Sequence, residues 1–260
     1  MFDFKPAISL LVLAAAIAPL PVLAQDRALS FSVTGGAGIA PRYFGADDFK
    51  ISPSGSLGFT GLRFGSVELG DPDGPARFVP GTRVRGALRF IPKRDGKDEL
   101  AGLNDVSAAL EIGLGLHHSA EWWEVYTDLR YGVIGHKAIA GEVGMNLIYR
   151  GDSGLTLYAG PRADFGNARF ARTYFGVTNA EAQAAPANSN LTPYTPSGGF
   201  HSVGLEVGAY QSLSADWGVT GMVRYDRLRG EAANSPIVQQ GNRNQISAQI
   251  GLTRHFNFRF

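Results

Sequence analysis

Residues 246–260 have the sequence ISAQIGLTRHFNFRF and place an apolar side chain at almost every second position, with Arg254 as the exception. Alternate residues of a β-strand share a face, so Phe256, Phe258 and Phe260 extend one apolar row opposite a polar one. The row covers about fifteen residues, which is longer than a usual globular strand. One apolar and one polar face at this length favour a strand of a bilayer-spanning barrel. The alternative is an edge strand of a soluble β-sandwich.

The N-terminal segment is typical of a secretory signal peptide. Lys5 supplies a positive charge, residues 7–17 are almost wholly apolar, and residues 22–24 (VLA) offer small or modest side chains to a signal peptidase. We therefore predict that residues 1–24 are removed by cleavage between Ala24 and Gln25. The apolar core is too short to remain as a membrane-spanning helix.

Composition argues against several classes of protein. The absence of cysteine excludes disulfides, thiolate nucleophiles, Cys-based metal sites and a lipid-anchored lipoprotein. The formal net charge of +1 gives no argument for nucleic-acid binding, which usually needs a concentrated basic face. The 34 glycines indicate many turns and bulges rather than helices.

Segments with two-residue alternation recur from Leu29 to the C-terminus. They predict an all-β fold in which residues 25–260 form a single transmembrane antiparallel β-barrel of about twelve strands, with ten or fourteen as alternatives. This count treats residues 50–59 and 62–70 as two strands and adds a short strand near residues 168–175. Strand parity then assigns the charged loop at residues 92–103 to the periplasm. The irregular stretch at residues 176–198 is predicted to be an extracellular loop.

The polar faces of these segments carry many charged side chains, which are expected to face the barrel lumen. Isolated charges are unfavourable in a narrow interior, so these groups must form ion pairs or line water. Two interpretations follow: a network that fills and braces the barrel, or a narrow pore that selects small polar solutes. The predicted lumen charges are Arg83, Arg85, Arg89, Glu111, Asp128, Arg130, Glu142, Arg162, Asp164, Glu206, Arg224 and Asp226.

Two further groups of residues were considered for function. Aromatic residues near predicted strand ends indicate girdles at the lipid headgroups, with a core role as the alternative. His117, His118 and Ser119 are adjacent, but residues at a predicted tight turn point apart and cannot form a nucleophile–base pair. We therefore predict no enzymatic activity and no catalytic, metal-binding or cofactor-binding residue, and expect the histidines at the surface or in the girdles. The girdle candidates are Trp122, Trp123, Trp217, Tyr131, Tyr149 and Tyr225.

Several stretches resemble one family. Residues 36–48 (GAGIAPRYFGADD) are similar to the glycine-rich first strand and following loop of the MipA/OmpV family of MltA-interacting proteins. The middle of the chain resembles it at residues 163–164 and 174–178 (YFGVT). The late strand and loop of the family are similar to residues 224–228 (RYDRL) and 234–238 (NSPIV). The resemblance extends over essentially all of the chain after the signal peptide.

This resemblance implies a barrel in the lipid of the bacterial outer membrane, with no known catalytic residues. The role for which the family is named is a scaffold that brings together a lytic transglycosylase and a peptidoglycan synthase in the periplasm. Other members are described as porin-like, which keeps the narrow pore as the alternative. A terminal Phe260 preceded by Phe258 and Phe256 also resembles the signal by which outer-membrane barrels are recognised for assembly.

Overall fold

The computed structural model describes residues 27–70 and 80–260, in which eleven antiparallel strands form one sheet. The predicted signal peptide and its cleavage site lie outside the described residues. The strands are β1 (Arg27–Pro41), β2 (Phe49–Phe64), β3 (Val67–Gly70), β4 (Gly81–Ile91), β5 (Ala109–Ser119), β6 (Trp123–Ile134), β7 (Ile139–Arg150), β8 (Leu155–Gly166), β9 (Gly199–Ser212), β10 (Trp217–Leu228) and β11 (Asn244–Arg259).

The order of the strands in the sheet is β3-β2-β1-β11-β10-β9-β8-β7-β6-β5-β4. Its two ends approach each other, because a Cβ built on Gly86 of β4 would lie 3.6 Å from the Cβ of Phe59 in β2. The sheet therefore curls around a common interior, and the predicted all-β barrel-type fold is confirmed. Among the described residues, no helix is both long enough and apolar enough to span a membrane.

The strand predicted near residues 168–175 is wrong, because this segment is the helix α1 (Ala168–Phe175). Asn167 caps it by accepting a hydrogen bond at 3.0 Å from the backbone N–H of Phe170. The two strands predicted at residues 50–59 and 62–70 are also wrong, because β2 runs without interruption to Phe64. Ten strands of 11 to 16 residues therefore remain, together with β3 of only four.

The outer face of the sheet is apolar. Leu114 on β5, Leu205 on β9 and Ile250 on β11 are 65%, 60% and 63% exposed, and each lies between inward-facing residues. Such an exposed apolar band is what a barrel presents to lipid. On β11 the exception, Arg254, packs its guanidinium against the Trp217 ring at 5.1 Å from the centroid.

The two rims of the sheet carry connections of different length. At the rim where β1 begins and β11 ends, the turns are short. We name this rim the periplasmic rim, because short turns face the periplasm in outer-membrane barrels. The opposite rim, the long-loop rim, carries the four long connections and also the short turn at residues 135–138. The short turns are residues 65–66, 120–122, 151–154 and 213–216, and the long connections are residues 42–48, 92–108, 167–198 and 229–243.

The assignment of residues 92–103 to the periplasm is therefore wrong. This loop lies on the long-loop rim, where Arg42 forms an ion pair with Asp98 at 3.2 Å. The next residues contact the same rim, since the backbone N–H of Asn104 donates to Glu181 at 2.9 Å. The error arises because β3 is too short to cross the sheet, so β4 runs in the opposite direction to the one that the strand count assigned.

Candidate functional site

The centre of the interior is a cluster of charges built around Arg224 on β10. Its Nη1 lies 2.5 Å from Oε2 of Glu142 on β7, and its Nε lies 2.6 Å from Oδ2 of Asp226. It also pairs with Asp164 on β8. Arg89 on β4 reaches the same Asp164 at 3.5 Å. Because β4 and β8 are four positions apart in the sheet, this pair crosses the interior rather than following one wall.

Two further pairings lie beside this cluster. Glu111 is fully buried and accepts hydrogen bonds from Nε of Arg130 and from Nε2 of His136, each at 3.0 Å. Arg162 pairs with Glu206 at 2.9 Å. A charge buried at this depth is tolerated only when it is paired and hydrogen-bonded. The arrangement therefore suits a braced interior.

The interior is more open towards the periplasmic rim. His117 lies 3.1 Å from Asp128, and Arg85 lies 3.3 Å from Glu124. Cavities of about 410 and 610 Å³ occur at this level, and Arg83 lines the larger one. All twelve charges predicted for the lumen lie on inward-facing positions of the described strands, and eleven of them take part in the polar contacts described above.

The histidines differ from the prediction that placed them at the surface or in the girdles. His136 and His201 are buried, and His117 faces the interior. The alternation does not identify His201, because His201 is the extra residue of a bulge in β9: Asp164 pairs with Ser202 and the next residue, Phe165, pairs with Phe200. His136 precedes β7 in a short connection and carries no strand periodicity.

The candidate catalytic residues do not form a nucleophile–base pair, although Ser119 and His117 both approach Glu124, His117 at 3.7 Å. His118 points outward, where its Nδ1 lies 2.8 Å from the Thr82 hydroxyl. The Ser119 hydroxyl donates to Glu124 at 2.6 Å rather than to a histidine. Within residues 27–70 and 80–260, no group of three His, Asp or Glu side chains is placed to hold a metal ion.

The long connections fold into a cap over the long-loop rim. We define the cap as residues 42–48, 92–108, 167–198 and 229–243. It includes α1 and three shorter helices, α2 (Asn179–Ala184), α3 (Gly230–Asn234) and α4 (Pro236–Gln239). Two apolar clusters hold it together, and the completely buried side chains of Phe170 and Ile237 belong one to each. The main apolar core of the molecule thus lies at this rim.

Polar contacts fix the cap as well. Thr178 and Glu181 form a capping box at the start of α2, with the Glu181 backbone N–H donating to the Thr178 hydroxyl at 3.2 Å. Burial by itself would raise the pKa of Glu181, but hydrogen bonds from the backbone N–H groups of Thr178 and Asn104 outweigh it and lower the pKa. Glu181 is therefore a carboxylate that links α2 to the 92–108 connection.

The aromatic end of β11 lies on the outer face. Phe256 stacks on Phe31 of β1 at 5.1 Å between ring centroids, and Phe258 lies at 5.9 Å from the same ring. The backbone N–H of Phe260 donates to the carbonyl of Arg27 at 3.0 Å, and its side chain is 64% exposed. The role of these three rings as an assembly signal stays a prediction.

A family model described as MltA-interacting protein MipA matches residues 33–256. The MltA-interacting protein of Escherichia coli (strain K12) is 26% identical over 232 residues, which are 87% of this chain and 90% of that protein. The protein of the same name from Shigella flexneri matches to the same extent.

Two solved structures illustrate the structural comparison. The COG4313 outer membrane channel from Pseudomonas putida F1 has 9% identity and a TM-score of 0.44, covering 98% of this chain and 100% of that one. The translocator domain of autotransporter NalP from Neisseria meningitidis has 11% identity and a TM-score of 0.38, covering 88% of each chain. On the strength of the match over residues 33–256, this chain belongs to the MltA-interacting protein (MipA) family.

Proposed function

We propose that this outer-membrane barrel is a non-catalytic scaffold that holds a lytic transglycosylase and a peptidoglycan synthase at the inner surface of the membrane. The observation that carries the proposal is the similarity, over 87% of the chain, to a protein named for its interaction with MltA. We include the synthase because residues 36–48 and 224–228 resemble the family, whose named role involves both enzymes. The location in the outer membrane and the family membership are established, and the scaffold role is what we add.

The filled interior supports a role without transport. The pair between Arg89 and Asp164 crosses the barrel, and Arg224 bridges β7, β8 and β10. The cap adds a second layer over the long-loop rim. A solute path would have to disrupt both, so the narrow-pore interpretation is not favoured.

A surface for periplasmic partners is available on the periplasmic rim. Three of its short turns each expose one carboxylate, namely Glu121, Asp152 and Asp216. Side chains at turn tips are accessible, and a group of like charges attracts a partner of opposite charge and speeds its association. Arg27, Arg150 and Arg259 lie at strand ends of the same rim, so we expect basic groups of a partner to meet the three turn tips rather than the whole rim.

The test is charge reversal followed by recovery of partners. The triple variant Glu121→Lys, Asp152→Lys, Asp216→Lys should reduce co-purification of a lytic transglycosylase from cross-linked cells by about tenfold, as expected when several contacts of opposite charge become repulsive. Asp47→Lys is the matched control, since Asp47 is an exposed carboxylate on the long-loop rim. Unreduced recovery in the triple variant would reject the three carboxylate-bearing turns as the docking surface. If the wild-type protein recovers neither enzyme, the scaffold proposal fails.

A further inference from the structure

A separate cavity of about 200 Å³ lies under the cap, between the first long connection and the ends of β4 and β9. Its walls include polar groups from the strands and from the cap, and aromatic rings from the cap. It is not one of the two cavities towards the periplasmic rim. The residues that the argument uses are Phe44, Arg89, Arg94, Asp164, Tyr174 and His201.

Several buried polar atoms in this wall have no hydrogen-bond partner. They are Nε of Arg94, the hydroxyl of Tyr174, and both ring nitrogens of His201. The three side chains belong to residues that are only 5%, 4% and 5% exposed. A buried polar atom without a partner costs about 1–3 kcal/mol, so such atoms are rare in native proteins and call for an explanation. Here they come from three different parts of the chain and meet at one cavity.

The charge balance of the wall identifies the missing partner. Asp164 is already paired with Arg224 and Arg89, so it does not neutralise another cation. The guanidinium of Arg94 donates from Nη1 to the carbonyl of Tyr174 at 3.1 Å. Within the part of the chain that the structure describes, it forms no ion pair with a carboxylate. Its acidic neighbours Glu181 and Asp105 accept hydrogen bonds from the backbone N–H groups of Asn104 and Gly96 instead. A buried guanidinium that no carboxylate contacts directly is a ready site for an anion, because its planar fork matches a carboxylate.

We propose that this cavity binds a small organic molecule that carries a carboxylate. The carboxylate pairs with Arg94, and the Tyr174 hydroxyl and His201 ring bond to its polar atoms. The body of the molecule packs against the ring of Phe44, which also contacts Tyr174 at 5.2 Å between centroids. A volume of about 200 Å³ is below the usual range for drug-sized ligands, so the occupant is a small molecule.

Benzoate is a suitable probe, because it combines a carboxylate with a flat apolar body and has the neutral isostere benzamide. We expect isothermal titration of the full-length protein in lipid nanodiscs to show one saturable site for benzoate. Benzamide should bind at least about tenfold more weakly, since charge-assisted hydrogen bonds are the stronger kind. Inorganic phosphate, which has charge but no apolar body, should also bind more weakly.

Two variants and one control assign the site. Arg94→Gln should weaken benzoate binding about tenfold or more and remove the preference over benzamide. Arg172→Gln is the control, because Arg172 is an exposed cation of the cap that does not line the cavity. Tyr174→Phe should weaken binding several-fold without lowering the unfolding temperature of the ligand-free protein, since it removes a hydroxyl that has no partner.

Three results would overturn the proposal. Wild-type protein that gives no saturable benzoate signal would show that the cavity holds water only. Equal binding of benzoate and phosphate would reject an organic carboxylate as the occupant. Benzoate binding that survives both Arg94→Gln and Tyr174→Phe would place the site elsewhere. If Arg94→Gln does not fold, Tyr174→Phe decides the assignment alone.

Discussion

At the scale of single residues, the interior depends on shared charges. Arg224 contacts carboxylates on three strands, so its loss leaves Glu142, Asp164 and Asp226 without their common cation. Breaking a buried ion pair by removing one partner costs about 3–5 kcal/mol, because the remaining charge stays buried and uncompensated. We therefore expect substitution of Arg224 to be strongly destabilising.

We predict that Arg224→Met lowers the free energy of unfolding by about 3–5 kcal/mol. Arg254→Met is the matched control, because it removes an exposed arginine of the outer face and should change stability by less than about 1 kcal/mol. Urea unfolding of both variants in lipid vesicles, followed by tryptophan fluorescence, measures the difference. Equal stability of the two variants would contradict a braced interior.

Sequence alternation assigns the residues of each strand to one of its two faces. It assigns Glu111, Arg130 and Arg162 to the polar face because each lies two residues from another polar or small residue on the same strand. It cannot say which pairs form, since Arg89 and Asp164 meet across the interior and are 75 residues apart. It also misses Arg94 and His201, whose burial depends on the folded cap and on a bulge.

At the scale of elements, α2 is held by a titratable contact. The pKa of Glu181 is lowered in the folded state, so its carboxylate contributes stability at pH values above its ordinary pKa of 4.5. That contribution is lost as the pH falls below this value and the group becomes protonated. The effect is local, because Glu181 joins only α2 and the 92–108 connection.

The backbone N–H of Ala182 donates to the Thr178 carbonyl at 3.0 Å. We predict that its protection from hydrogen exchange falls as the pH is lowered from 6 to about 3, because a carboxyl group becomes protonated in this range. Hydrogen exchange corrected for intrinsic rates measures this protection. Glu181→Gln should remove the pH dependence and reduce protection at pH 6 by an amount worth about 0.5–2 kcal/mol. An unchanged pH dependence in Glu181→Gln would assign the effect to another group.

The terminal strand carries a prediction about assembly. Deleting Phe260 removes the last ring of the aromatic row and should reduce the folded, heat-modifiable form of the protein in outer membranes. Arg259→Ser keeps the terminal ring and should assemble normally. Migration of the Phe260 deletion that matches wild type on unheated gels would reject the role proposed for the terminus.

The element that sequence alternation misreads is α1. The segment at residues 168–175 follows Asn167, a good helix cap, and spaces Phe170 and Tyr174 four residues apart, which brings them onto one helical face. These signals were present, but the two-residue pattern of the neighbouring strands favoured a strand. The cap then supplies the environment in which the helical face is buried.

At the scale of the whole molecule, the two rims are built differently. Counting strands in the sequence assigns residues 92–103 to the wrong rim, because the count divides β2 into two strands and treats β3 as a strand that crosses the sheet. The long-loop rim is closed by the cap, whereas the periplasmic rim exposes short turns and leads to open cavities. Under the scaffold proposal, the sealed rim faces outward and the accessible rim faces the cell wall.

The proposed scaffold role depends on an interior that ion pairs cross at its centre and that the cap covers on the outside. Conductance of the purified barrel in a planar bilayer tests this most directly. We predict no steady unitary current for the wild-type protein, because Arg89, Asp164 and Arg224 join opposite walls. Stable current steps in the wild-type protein that change size in Arg83→Ala or Glu111→Ala would instead show a water path and contradict the account.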